Sequence, residues 1–346
     1  MKLMKRFCFF FTVLACVAFA GCGGRREASS LPAAVQIPVQ ADTIVPALPV
    51  PFEEKPLTAA DVTLAKELLY DTYTLEDTYP YKDTVRSFKW AVVRCCLAYI
   101  ENMQRDGVRW VVLQNYKNQN GEAPLVRSFV RNAYRRVADT LGVERYQSVP
   151  LYLPGDTLVP ERYGRDGTLA CLRDTTGGFV RILPVTREEE WLVPRRYLKR
   201  LADSTVFHHV VFVDRKEQHI ATLERADRGS WKIRSMNPAT TGRHAPPYAQ
   251  ETPLGMYLLQ QKKARMVFLK DGSAETGGYA PYASRFTNGA YIHGVPVNVP
   301  RTAMVEYSWS LGTTPRSHMC VRNATSHAKF VFDWAPTERS LVVVIE

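Results

Sequence analysis

The tightest constraint on how this chain can fold lies between residues 206 and 224. Val206, Phe207, Val210, Val211, Phe212 and Val213 form a run of β-branched and aromatic residues. Polar Arg215, Lys216, Glu217 and Gln218 follow, and Ile220 to Glu224 make a second run. Two such runs across a polar turn predict a β-hairpin. The strand texture persists to the C-terminus, where Leu341, Val342, Val343, Val344 and Ile345 stand in sequence. The stretch 205–346, about 140 residues, is long enough to bury a core of its own.

Upstream the texture changes twice. Within 146–200, short strand-like runs (149–152, 168–172, 179–183 and 191–193) alternate with turn signals at Gly164, Gly167, Gly177 and Gly178. The segment from Trp191 to Tyr197 resembles the closing segment of bacterial SH3-like barrels. It predicts a small β module over 146–203, either wall-binding or purely structural. Residues 57–145 read as a helical domain. Thr58 with Asp61 starts one helix, with Val62, Ala65, Leu68 and Leu69 on a face. Asp83 caps a longer one with the stripe Phe88, Val92, Cys95/Cys96, Tyr99 and Met103. A third begins at Pro124, shows Leu125, Phe129, Ala133, Val137 and Leu141, and ends at Gly142. The expected class is α+β: helical domain, SH3-like module, and a β-rich domain over 204–346.

The N-terminus addresses compartment. Lys2, Lys5 and Arg6 precede a mostly apolar run too short to span a bilayer, which ends in small residues as secretory signals do. Phe19-Ala20-Gly21-Cys22 resembles a bacterial lipobox. That resemblance implies removal of 1–21, acylation of Cys22, and a Pro/Ala/Val/Ser-rich tether over 22–56. The expected site is the cell envelope, lipid-anchored and facing the periplasm. Gly23 after Cys22, rather than Asp, favours the outer membrane over the inner. The formal net charge of +11 loses Lys2, Lys5 and Arg6 with the signal and falls to +8. A diffuse positive charge on an exported chain suits an anionic wall or lipid surface and leaves nucleic acid a poor partner.

Of seven cysteines, Cys8 and Cys16 leave with the signal and Cys22 takes lipid. Cys95, Cys96, Cys171 and Cys320 remain. No C-x-x-C pair is present, so no metal cage is expected. Cys95 and Cys96 read as small buried apolar residues, with a disulfide from either to Cys171 left open. There is no phosphate loop and no Gly-x-Ser-x-Gly elbow, and no cofactor is expected.

Two marks carry chemistry. Ala290-Tyr291-Ile292-His293-Gly294 is a strand ending in His-Gly, and Ser317-His318-Met319-Cys320-Val321-Arg322 holds a cysteine at another strand end. A free thiol with a pKa near 8.5 is only a few per cent ionised at neutral pH, so a nucleophilic cysteine needs a base within hydrogen-bond reach. His293 and His318 both qualify, and spacing alone does not choose. His293 is favoured because a base distant in sequence can approach Sγ more freely.

These marks are similar to the catalytic domain of the L,D-transpeptidases (the YkuD-type family). Thr241-Gly242-Arg243 resembles the family's Thr/Ser-Gly-Lys turn, and Thr252-Pro253-Leu254-Gly255-Met256-Tyr257 its Thr-Pro-x-Gly-x-aromatic element. Pro281 to Phe286 resembles the strand leading to its histidine, and 328–334 with 341–345 its last helix and strand. The resemblance implies Cys320 as nucleophile and His293 as general base, with His318 the second candidate. It implies an oxyanion hole from the backbone N–H groups of Met319 and Cys320. Arg322, Ser317, Tyr282 and Gly294 would contact substrate. The implied reaction runs on peptidoglycan stem peptides through a Cys320 thioester to a 3→3 crosslink. Hydrolysis by the same thiol (L,D-carboxypeptidase or endopeptidase) and a silent wall-binding role are the alternatives. Three departures stand out: Met319 replaces the usual Gly, 26 residues separate His293 from Cys320, and His327 stands where Asp is common. Met319 is strained if its φ is positive. Val295 to Thr314 reads as an insertion shaping the cleft, and His327 as a cap or surface residue.

Overall fold

The computed structural model describes residues 55–105 and 107–346. The signal, the lipobox with Cys22, and nearly all of the tether therefore lie outside the described residues. Leu57–Glu346 pack as one unit.

The apolar runs become the centre of a six-stranded sheet. Its order is Thr63–Lys66, Ser230–Pro238, His219–Asp227, His209–Asp214, Ser340–Ile345 and Gly255–Leu258. His209–Asp214 pairs antiparallel with His219–Asp227, which is the predicted hairpin, and parallel with Ser340–Ile345. Every residue of Ser340–Ile345 is buried, as expected of a strand covered on both faces. A second sheet runs Gln261–Leu269, Thr276–Thr287, Ala290–His293, Val321–Arg322. Val211, Val213, Ile220, Phe286, Ile292, Val321, Val342 and Val344 from the two sheets meet Val331 of the last helix, Thr325–Trp334, in one core. Each such side chain contributes about 1.5–3 kcal/mol by leaving water.

A five-stranded sheet lies upstream, ordered Trp191–Pro194, Phe179–Pro184, Leu169–Thr176, Trp110–Leu113, Leu198–Arg200. The strand-like runs of 168–193 are strands. Trp110–Leu113 sits between Leu169–Thr176 and Leu198–Arg200, so this sheet draws on residues before 146 and its order lends the SH3-like reading no support.

The helical domain over 57–145 is corrected. Among the described residues it holds one α-helix, Trp90–Arg105. The Thr58 N–H donates to Asp61 Oδ2 at 2.7 Å, as expected of a helix start, but one 3₁₀ turn follows and the chain leaves as Thr63–Lys66. There it pairs parallel with 230–233, because an open sheet edge offers backbone partners that a short helix cannot match. The real helix turns Val93, Cys96, Leu97 and Ile100 inward rather than the expected stripe through Val92, Tyr99 and Met103. The segment after Pro124 is a hairpin, Phe129–Arg131 with Val137–Asp139. Asn132 Oδ1 accepts the N–H groups of Tyr134 (3.0 Å) and Arg136 (3.1 Å) and so fixes the turn. Leu125, Phe129 and Leu141, read as a helix face, are exposed. Cys171 is a buried free thiol, which closes the option of a disulfide to it from Cys95 or Cys96.

Candidate active site

Two parallel strand ends build the site. Ile292 lies opposite Val321 and His293 opposite Arg322. Ile292 and Val321 point into the core, so alternation turns His293 and Arg322 to the other face. One residue back, the same register sets Cys320 beside Tyr291 on that face. Thiol and imidazole thus project from neighbouring strands, two ladder positions apart.

The buried imidazole is oriented by its neighbour's carbonyl: His293 Nδ1 lies 2.6 Å from Gly294 O. That acceptor requires the proton on Nδ1 and leaves Nε2 as the basic nitrogen. Burial lowers the His293 pKa to about 4, the Gly294 carbonyl opposing it and Arg322 adding to it. Burial likewise pushes the Cys320 thiol up, against the Tyr291 N–H and the Arg322 guanidinium. The resting pair is therefore neutral. Sγ donates to Gly289 O at 3.6 Å, and no imidazole hydrogen-bonds it among the described residues.

The loop before the thiol is held from several sides. Ser317 Oγ donates to Cys320 O and accepts the Met319 N–H at 3.3 Å. Thr252 Oγ1 accepts the Gly242 N–H and donates to Met319 O, both at 2.8 Å. Met319 has φ +124°, a conformation that costs a side-chain-bearing residue on the order of 1–3 kcal/mol. Gly242 is needed opposite it, since a Cβ there would come 2.7 Å from Met319 Cα. Gly294 is equally constrained: a Cβ would meet Thr325 Oγ1 at 2.7 Å.

Residues 208–345 match the family model of the L,D-transpeptidase catalytic domain, YkuD. This stretch is similar to the YkuD catalytic domain. Among solved structures, an L,D-transpeptidase from Mycobacterium smegmatis is 15% identical, with 51% of this chain and 90% of that one covered at a TM-score of 0.33. One from Mycobacterium tuberculosis is 18% identical, covering 53% and 92% at 0.33. A fused Zn-dependent amidase/peptidase/peptidoglycan-binding protein from Clostridium acetobutylicum is 20% identical at 0.30, with 41% of this chain aligned to 53% of that chain's length. Comparison with curated proteins gives no match. The likeness rests on the family model.

Within the matched stretch the other expected residues separate. His318 is exposed, and its Nε2 lies 2.9 Å from Asp271 Oδ2 on a hairpin turn; the structure does not bring it to the thiol. Tyr282 stacks edge-on against Phe332 of the last helix, centroids 5.9 Å apart, so its ring serves helix packing. Arg322 keeps a buried Nε without a partner and lies close enough to Arg243 for the two charges to oppose each other. His327 is corrected: it is a fully buried residue of the last helix, its Nδ1 3.0 Å from Asn323 Oδ1 and its Nε2 2.9 Å from Ser235 Oγ. Residues 299–316 lie against the turn at 239–241, through Thr240 Oγ1 to Ser310 O at 2.8 Å and Gly312 N to Ala239 O at 3.1 Å. Arg86 from the N-terminal region clamps this segment at the carbonyls of Gly312 and Thr313. Gly289 and Tyr291 are site residues that the sequence reading passed over. Tyr291 was within reach, since it stands two residues before His293 on the same strand face.

Proposed function

We propose that the protein is a cysteine-dependent L,D-transpeptidase of peptidoglycan. The observation that supports this most is the shared strand face of Cys320 and His293, with His293 Nδ1 committed to Gly294 O. Cys320 gives its proton to His293 Nε2 as Sγ turns from Gly289 O and attacks the carbonyl between the third and fourth stem residues. The Cys320 N–H, which has no acceptor among the described residues, donates to the oxyanion; one such donor is worth about 3–4 kcal/mol in a transition state. The Met319 N–H is shared with Ser317 Oγ and is the weaker second donor. Collapse returns the proton from His293 to the departing amine of D-Ala and leaves a Cys320 thioester. The amine of a second stem attacks it, a 3→3 amide forms, and the thiol is restored. Arg322 and Arg243 offer guanidinium groups to a stem carboxylate.

Retained with this reading are acylation at Cys22, a tether over 22–56 and a periplasm-facing position, testable by palmitate labelling that Cys22→Ala abolishes. For the reaction, the protein is incubated with tetrapeptide muropeptides and the products are read by mass spectrometry. D-Ala with 3→3 dimers is expected. Tripeptide without dimers would make water the acceptor, and no product together with an unreactive Cys320 would remove the enzymatic reading. Activity should persist in acid down to about pH 4, where His293 becomes protonated and ceases to be a base.

A further inference from the structure

We propose that Tyr116, which lies in the upstream β module outside the YkuD match, is a positioning residue of the thiol site and acts through Tyr291 on Cys320. The inference builds on Cys320 as the nucleophile.

Tyr116 opens a 3₁₀ turn just beyond Trp110–Leu113. Its hydroxyl lies 3.2 Å from the Tyr291 hydroxyl. Its ring lies under the Arg285 guanidinium, 4.2 Å from the centroid, and Arg285 is the ladder partner of Tyr291. A buried carboxylate ties these groups together. Asp166 Oδ1 accepts the N–H groups of Asn115 (2.9 Å) and Tyr116 (3.1 Å), while Oδ2 accepts from Arg285 Nη1 (2.5 Å) and Gln260 Nε2 (3.0 Å). The Asp166 carbonyl takes the Thr287 hydroxyl at 2.6 Å. Gly167 sits so close to Phe286 O that a Cβ there would collide with it.

All these contacts converge on the hairpin 285–291. That hairpin presents both polar groups that meet Sγ: the Gly289 carbonyl, where the neutral thiol rests, and the Tyr291 N–H, which favours the thiolate. The upstream module therefore sets the position of the thiol's surroundings, and residues 208–345 do not hold the whole site. A hydrogen bond between two phenols is a small lever on Cys320, and its removal is correspondingly specific.

The test is Tyr116→Phe in the full chain, which removes one oxygen, with Tyr116→Leu as a second variant that also gives up the ring beneath Arg285. Iodoacetamide alkylation of Cys320, read on the Cys320 peptide by mass across a pH series, needs no wall substrate. The alkylation profile of Tyr116→Phe should move to higher pH, kcat should fall about three- to tenfold with little change in KM, and the melting temperature should hold. Tyr116→Leu should move further in the same direction. An unmoved profile in both variants, or faster alkylation at every pH with a lowered melting temperature, would overturn the proposal and leave Tyr116 a packing residue. A moved profile in a protein that turns over no muropeptide would support it while removing the proposed function.

Discussion

His209–Asp214 and Ser340–Ile345 lie side by side in the middle of their sheet, with five of six residues and six of six buried. Thr63–Lys66 lies at the edge of the same sheet with three of four residues exposed. The central pair is held by its own side chains. The edge strand is held by backbone pairing to 230–233 and by neighbours such as Asn102, whose side chain meets the backbone of Leu57 in both directions at 2.7 and 2.8 Å. The C-terminal half makes its own core, whereas the residues before about 110 take their form from the surfaces on which they lie. The same chemistry of burial acts on both, but only one carries it in its own sequence.

That contrast can be pressed at four points. Cys320→Ala should cost the greatest amount, at least about 10⁴-fold in turnover, by analogy with the loss of other essential nucleophiles. Thermal unfolding should be unchanged in both halves, and residual turnover would take Cys320 out of the mechanism. Next comes Glu101→Ala on the first helix. Glu101 accepts from Arg225 Nε and Nη2 at 2.9 and 3.0 Å and from Trp231 Nε1 at 3.0 Å. Removing one partner of a buried ion pair costs about 3–5 kcal/mol, and calorimetry should show one transition moving down. A separate early transition would mean that the upstream residues fold on their own and would break the comparison.

Acid should act more gradually. Burial holds His327 at about 3 and His219 and His293 at about 4, all below the 6.5 of the unfolded chain. The unfolded state therefore binds protons that the folded state refuses. Stability is complete above pH 6.5 and drains as pH falls through about 4 to 3. His327→Gln should flatten that loss in urea midpoints measured along a pH series; an unchanged slope would refute it. Smallest is Met319→Gly. Relief of the +124° backbone should raise stability by roughly 1 kcal/mol, and a lowered melting temperature would show that the methionine's packing outweighs its strain.

Legibility in the sequence followed the same division. The hairpin from His209, the final strand and the His-Gly and Ser-His-Met-Cys marks could be read because long buried runs and a local motif carry their own signal. Helices expected around Val62 and Phe129 failed where apolar residues at helical spacing were recruited one at a time, by a sheet edge or by an Asn132 turn. The heavier signal missed was three-dimensional. No spacing links Tyr116 to Tyr291, or Asp166 to Arg285, because their encounter depends on how two sheets are set against each other. His318, next but one to the thiol in sequence, was diverted by Asp271, another partner that proximity along the chain does not reveal.

The strands bearing His293 and Cys320 run in the same direction. Side-by-side strands of like direction cannot be joined by a tight turn; the chain must travel back the full length before it can re-enter. A long excursion between the two reactive groups is thus a geometric obligation, whatever residues fill it. Such an arrangement lets a lineage refashion what borders the cleft by rewriting that excursion, while the two ends that perform the reaction stay where they are.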